Sequence, residues 1–208
     1  MTTYGRTDWG KRWLRTLEQL GLTYPDSRMA RGRGLVGKEA VDLLHAEPGE
    51  ISAWVDAPRK SFGVSITLPI FDAARWRRFD EVTASRLGNL ADLMDDRLPT
   101  GIDRQLEPFG LSLFPSDGEL STSCPCKDRT PVCVHVIAVT HAFTVWFDDD
   151  PFLLPLMRGR ERSDLIDALR ASVPAIDLGA PLDETMPVAE LATADFYAST
   201  TNLEALAR

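Results

Sequence analysis

Cysteine is scarce in this 208-residue chain, with three in all. An odd number cannot pair off completely, and the N-terminus lacks the charged-then-apolar layout of a secretory leader. A disulfide framework is therefore not expected, and a reducing cytoplasm is. Long apolar runs are missing too: no stretch approaches the roughly 20 residues that cross a bilayer. A surplus of positive charge is also absent. Against 23 Lys and Arg stand 31 Asp and Glu, a net charge of −8. Strong phosphate binding normally shows as a basic surface, so a protein coated in nucleic acid is not what the composition describes. What remains, 44% hydrophobic and 26% charged residues, is ordinary for a globular protein with room for a sizeable core.

The few cysteines are not scattered. Cys124, Cys126 and Cys133 stand with His135 in one window, Ser-Cys-Pro-Cys-Lys-Asp-Arg-Thr-Pro-Val-Cys-Val-His. Two pairs, Cys-x-Cys and Cys-x-His, flank a six-residue loop that contains Pro131. Zinc favours four such ligands at tetrahedral corners, and two pairs on a short turn can close that figure. The competing reading is three reduced thiols filling a core; gathering all of them beside a histidine in a polar loop favours metal. Zn²⁺ is the expected cofactor. His141 follows His135 by six positions, about 240° around a helix, so it is expected to face away from the metal.

The order Cys-x-Cys, loop, Cys-x-His and then an apolar helix resembles the SWIM zinc finger. Bacterial proteins encoded near Swi/Snf-type helicases share that motif with plant Mutator-type transposases and some eukaryotic regulators. The chain most resembles the bacterial SWIM zinc finger family. Trp9-Gly10 with Trp13, Arg31-Gly32-Arg33, Glu47-Pro48-Gly49 and Asp150-Pro151-Phe152-Leu153-Leu154 extend the likeness over about residues 1–170. Such fingers often carry Lys before the last histidine; Val134 stands there instead. One positive charge is lost, and a nucleic-acid reading is weakened.

Along the chain, Trp9, Trp13, Leu14, Leu17 and Leu20 predict a helix over 8–20, with Asp8 as its cap and Gly21 as its end. Between Met29 and Leu68 the texture turns towards β. Arg31-Gly32-Arg33-Gly34 reads as a basic loop. Val41, Leu43 and His45 alternate only loosely because Leu44 is apolar too. Ile51, Ala53, Val55 and then Phe62, Val64, Ile66, Leu68 alternate cleanly, as strands joined by turns do. Residues 72–96 carry a helical apolar stripe, and 102–109 a shorter one. A hairpin leading through Asp117-Gly118 is expected to deliver Cys124 and Cys126. The helix after it, apolar on nearly every side from Val136 to Phe147, is expected to be buried. Asp150 is read as an N-cap before Pro151, and helices through Leu156 and from Ser163 to Leu169 are expected behind the finger.

The expected fold is α+β: an N-terminal helix, a small antiparallel sheet or half-barrel, a ββα-like finger and flanking helices. The expected divisions are an N-terminal scaffold at 1–109, the finger and its packing helices at 110–172, and an acidic, proline-containing tail at 173–208. Four ligands close the zinc shell and no acid–base spacing stands out, so no enzymatic activity or small-molecule substrate is expected. The resemblance implies an accessory of a nucleic-acid machine such as a Swi/Snf-type helicase. Phe196, Tyr197, Leu203 and Leu206 in the tail are candidate anchors for that protein partner. The alternative is direct contact with DNA or RNA through Arg31, Arg33, Lys127 and Arg129, with Arg158, Arg160 and Arg162 as further candidates.

Overall fold

In a computed structural model, the described residues are 5–22, 25–95, 97–99, 101–128, 130 and 132–172. Arg129, Pro131 and the tail anchors Phe196, Tyr197, Leu203 and Leu206 lie outside them.

Helix α1 (Asp8–Gln19) forms where the sequence predicts it, but its cap is Thr7, whose hydroxyl accepts the Gly10 N–H at 2.9 Å. Its stripe is core: Trp13 and Leu17 are buried, and the Trp13 ring meets Phe143 at 5.1 Å. Asp148 sews the segment before it in place. Its carboxylate accepts N–H bonds from Arg6 and Thr7 and the Thr7 hydroxyl, at 2.7–2.9 Å.

The largest departure from the sequence reading is helix α2 (Ser27–Val36), which holds the expected basic loop. Glycine here serves close approach rather than a turn. A Cβ on Gly32 would stand 2.4 Å from Ile137 Cγ2, so its absence lets α2 lie directly on helix α6 (Val134–Asp149). Gly34 meets nothing within 4 Å. The two glycines therefore predict opposite signs in one helix. Gly32→Ala should cost about 1–3 kcal/mol through overpacking. Gly34→Ala should add roughly 0.5–1 kcal/mol from helix propensity alone. Urea unfolding of the two variants checks this directly.

Strands β1 (Val41–Glu47), β2 (Glu50–Ala57), β3 (Lys60–Thr67) and β4 (Ser121–Ser123) form one antiparallel sheet in that order. Ile51, Ala53, Val55, Val64 and Ile66 turn inward and are buried. The Leu43-Leu44 doublet that blurs the alternation becomes a bulge. Asp42 faces Trp54 and His45 faces Ser52, so both leucines stand against Ala53. The expected finger hairpin is corrected here. β4 has no partner in the 111–120 segment; it pairs with β3 as Ser65↔Ser123, Ile66↔Thr122 and Thr67↔Ser121.

The predicted helix at 72–96 is two, α3 (Ala73–Ala84) and α4 (Leu87–Met94), separated at Ser85-Arg86. Helix α5 (Ile102–Leu106) runs into a 3-10 turn, Glu107–Phe109. After α6, Asp150 caps a turn by accepting the Phe152 N–H at 3.0 Å. Helix α7 (Leu153–Met157) follows, and α8 (Arg162–Ser172) closes the described part. α8 packs on α3, α4 and α7. Residues Met1–Val173 form one compact unit. Among the described residues, no helix is long and apolar enough to cross a membrane.

α6 is the spine of this unit. Val136, Ile137, Ala138, Val139, Phe143 and Phe147 are all at most 1% exposed, as its all-round apolarity requires. His141 is buried on the same helix, and burial, then the charge of Arg33, push its imidazole down to about 4. An unfolded histidine titrates near ~6.5. Between those values the unfolded chain binds more protons, so folding stability falls as pH drops from about 6.5 towards 4. Between pH 7 and 5 the loss from this group is about 2 kcal/mol. His141→Gln should flatten that part of the pH dependence of the urea midpoint.

Candidate metal centre

The sheet edge and the start of α6 bring the four candidate ligands together. β4 ends at Ser123 and hands the chain to Cys124 and Cys126, while Cys133 precedes α6 and His135 occupies its first turn. The three Sγ atoms and a His135 ring nitrogen all lie within 4.8 Å of one another. Cys124 Sγ stands 3.7 Å and Cys133 Sγ 3.9 Å from His135 Nδ1. Metal–ligand bonds of ~2.0–2.3 Å at tetrahedral angles put ligand atoms ~3.5–3.8 Å apart. The donors present fit a metal ion, and their softness suits zinc.

The electrostatics point the same way. Burial pushes the Cys124 thiol up to about 12, with the neighbouring Cys133 sulfur adding to it, and burial raises Cys133 as well. Burial also lowers His135, which favours the neutral, ligating imidazole. A divalent cation supplies the positive charge that the clustered thiolates lack, and binding it releases their protons.

Two supports lie outside the motif. The Phe62 ring of β3 stacks on His135 at 4.5 Å, and Lys60 sits over that same Phe62 ring, its Nζ 4.6 Å from the centroid. From α2, the Arg28 guanidinium donates to Val132 O at 2.8 Å and to Thr130 Oγ1 at 3.1 Å. Asp26 holds that guanidinium in turn at 2.6 Å. Asp128 is not a ligand; its carboxylate accepts from the Thr130 N–H and hydroxyl at 3.0 and 2.8 Å and shapes the loop. Sequence spacing cannot reveal Phe62 or Arg28, because both reach the centre from distant elements.

The candidate nucleic-acid residues divide sharply. Arg31 and Arg33 are exposed on α2, and Lys127 is exposed in the metal loop. The charge of Arg31, with that of Arg28, helps keep the Asp128 carboxyl low, although the Thr130 hydrogen bonds do more. Arg158 is corrected from a contact residue to a core one. It is 1% exposed and donates to the carbonyls of Leu113, Pro69, Ser112 and Phe114 and to the Glu119 carboxylate. Arg160 is half-buried, its guanidinium held by Asp80 at 2.6 Å over the Trp76 ring. Arg162 lies over Phe152. For Arg158 and Arg160 an acid and a ring far along the chain claim the cation.

The chain is 33% identical over 169 residues to an uncharacterized protein of Mycobacterium tuberculosis, Rv2102. The match takes in 80% of this chain and 60% of that relative, so the chain spans about three-fifths of the relative's length. No family model matches, and no solved structure does.

Proposed function

We propose that the chain is a zinc-stabilised, non-catalytic accessory protein that works through protein contacts within a nucleic-acid-dependent machine. The SWIM-like finger implies a Swi/Snf-type helicase or ATPase as the class of machine. The observation that supports the non-catalytic part is the donor set. Catalytic zinc normally keeps three protein ligands and an open position, whereas here four donors converge at the junction of β4 and α6. The centre then serves as a clamp, and recognition belongs to the surfaces it holds. The net charge of −8 also favours protein partners over a bare duplex.

A second reading, direct nucleic-acid contact, has one observation in its favour. Arg28 joins α2 to the metal loop, so exposed Arg31, Arg33 and Lys127 sit on two linked elements. One experiment separates the readings. The zinc-loaded full chain, tagged, is used to capture interactors with nuclease present, and is titrated in parallel against labelled duplex DNA, single-stranded DNA and RNA at several salt concentrations. The accessory reading expects a helicase-class ATPase and weak nucleic-acid binding, and it fails if no such protein is recovered. The second reading expects tight binding that Arg31→Glu with Arg33→Glu weakens, lowering the salt slope by about one per lost phosphate contact.

A further inference from the structure

The outer face of the sheet carries features that the metal centre does not use. Along β2 the inward residues are buried, yet Trp54 between them is 50% exposed. Register places Asp42 of β1 on one side of it and Gly63 of β3 on the other, and Asp56 follows on the same face. Three atoms of the indole lie 3.8–3.9 Å from where a Gly63 Cβ would stand. Near-equal distances mean that the ring lies broadside on the sheet. One π-face rests on glycine backbone and the other meets solvent.

The bulge in β1 adds a second apolar group. Leu44 packs against the core, while Leu43 is 77% exposed and held at a φ of 50°. A leucine gains nothing from the left-handed region, and the fold maintains it there with the side chain in water. Such strain is often stored where a surface has work to do. Leu43 and Trp54 border a hollow of about 490 Å³ floored by Gly63 and by Ser52, Ser65 and Ser123. Register aligns those serines in one row across β2, β3 and β4.

Charge decides the occupant. The outward strand residues include four carboxylates, Asp42, Glu47, Glu50 and Asp56, and no lysine or arginine. Asp42, Glu50 and Asp56 have no ion pair among the described residues. A nucleic-acid backbone is repelled by such a face, and a cation is drawn to it. An indole with one free face between two carboxylates is the setting that binds ammonium or guanidinium groups.

We propose that this face docks a cationic, partly apolar segment of a protein partner, with a Lys or Arg side chain over Trp54 between Asp42 and Asp56 and an apolar side chain against Leu43. The proposal rests on the accessory reading above and names the surface through which it operates.

The test is fluorescence anisotropy of the zinc-loaded full chain with three labelled probes: a short peptide alternating arginine and leucine, one alternating glutamate and leucine, and an oligothymidylate. The cationic peptide is expected to bind and the other two are not. Trp54→Ala should weaken binding about tenfold with zinc content unchanged. Asp42→Asn with Asp56→Asn should weaken it and flatten its salt dependence. Leu43→Gly should weaken binding without lowering the unfolding temperature, because glycine accepts the left-handed backbone. A cationic peptide that binds Trp54→Ala as well as wild type overturns the proposal, as does Trp54-dependent binding of either other probe. If wild type recovers a helicase-class partner and Trp54→Ala still does, this surface is wrong and the accessory reading stands. If the peptide behaves as expected but no such partner is recovered, the accessory reading fails alone.

Discussion

Cys126→Ser is expected to abolish stoichiometric metal binding and to lower the unfolding temperature by about 10 °C or more. A metal whose free concentration is a thousandfold above its dissociation constant stabilises the folded state by about 4 kcal/mol. In a unit of this size each kcal/mol is worth about 2–4 °C. The damage should be local. Trp13, Phe143 and Phe147 pack together without help from the centre, whereas β4 holds to β3 through three residue pairs and is pinned by the cysteines beyond it. Hydrogen exchange should therefore quicken first at 121–128 and at the N-terminal turn of α6. Elemental analysis and a melting curve, each with and without chelator, check this. A variant that keeps one zinc per chain, or a wild type indifferent to chelator, rules out the clamp.

The second large effect is expected far from the metal. Arg158→Met should destabilise the chain by about 3–5 kcal/mol. The guanidinium spends its donors on four carbonyls and on Glu119, and lies 4.7 Å from the Phe71 centroid. Methionine fills much of the volume but leaves those buried acceptors bare. Although burial opposes it, the hydrogen bond from Arg158 keeps the Glu119 carboxyl below its usual range, so that anion would also lose its partner. Arg158→Lys should recover little, because an ammonium cannot span a fork of carbonyls. Urea midpoints of the two variants against wild type measure the difference, and equal midpoints would show that the network adds nothing.

These residues also show what could be read in advance. The ligand set was legible because zinc chemistry is local: donor type and spacing within a dozen residues suffice. Strands β2 and β3 were legible because each alternates without a break, and α6 because a run that long and apolar on nearly every side suits only a buried helix. Arg158 was misread because a buried arginine and a solvent-facing one look alike until the carbonyls of 69 and 112–114 converge on it. Gly32 misled in the opposite direction. Arg-Gly-Arg-Gly has the composition of a loop, and only contact with Ile137 explains glycine inside a helix. The finger hairpin failed for a similar reason, since β4 found its partner in a strand more than fifty positions earlier. The doublet Leu43-Leu44 was a visible irregularity with no assigned meaning, and the bulge supplies it.

That long-range pairing sets a schedule for the nascent chain. When β3 leaves the ribosome, the strand that covers its far edge has not been made. At about 5–20 residues per second, the wait is some 3–10 s. During that interval Ile66 and its neighbours present an uncovered β edge, the kind of template on which chains aggregate. The four-strand sheet thus forms in order of synthesis but with a long pause before its last strand. It ends with its shortest strand, and the cysteines that follow that strand arrive in time to lock it.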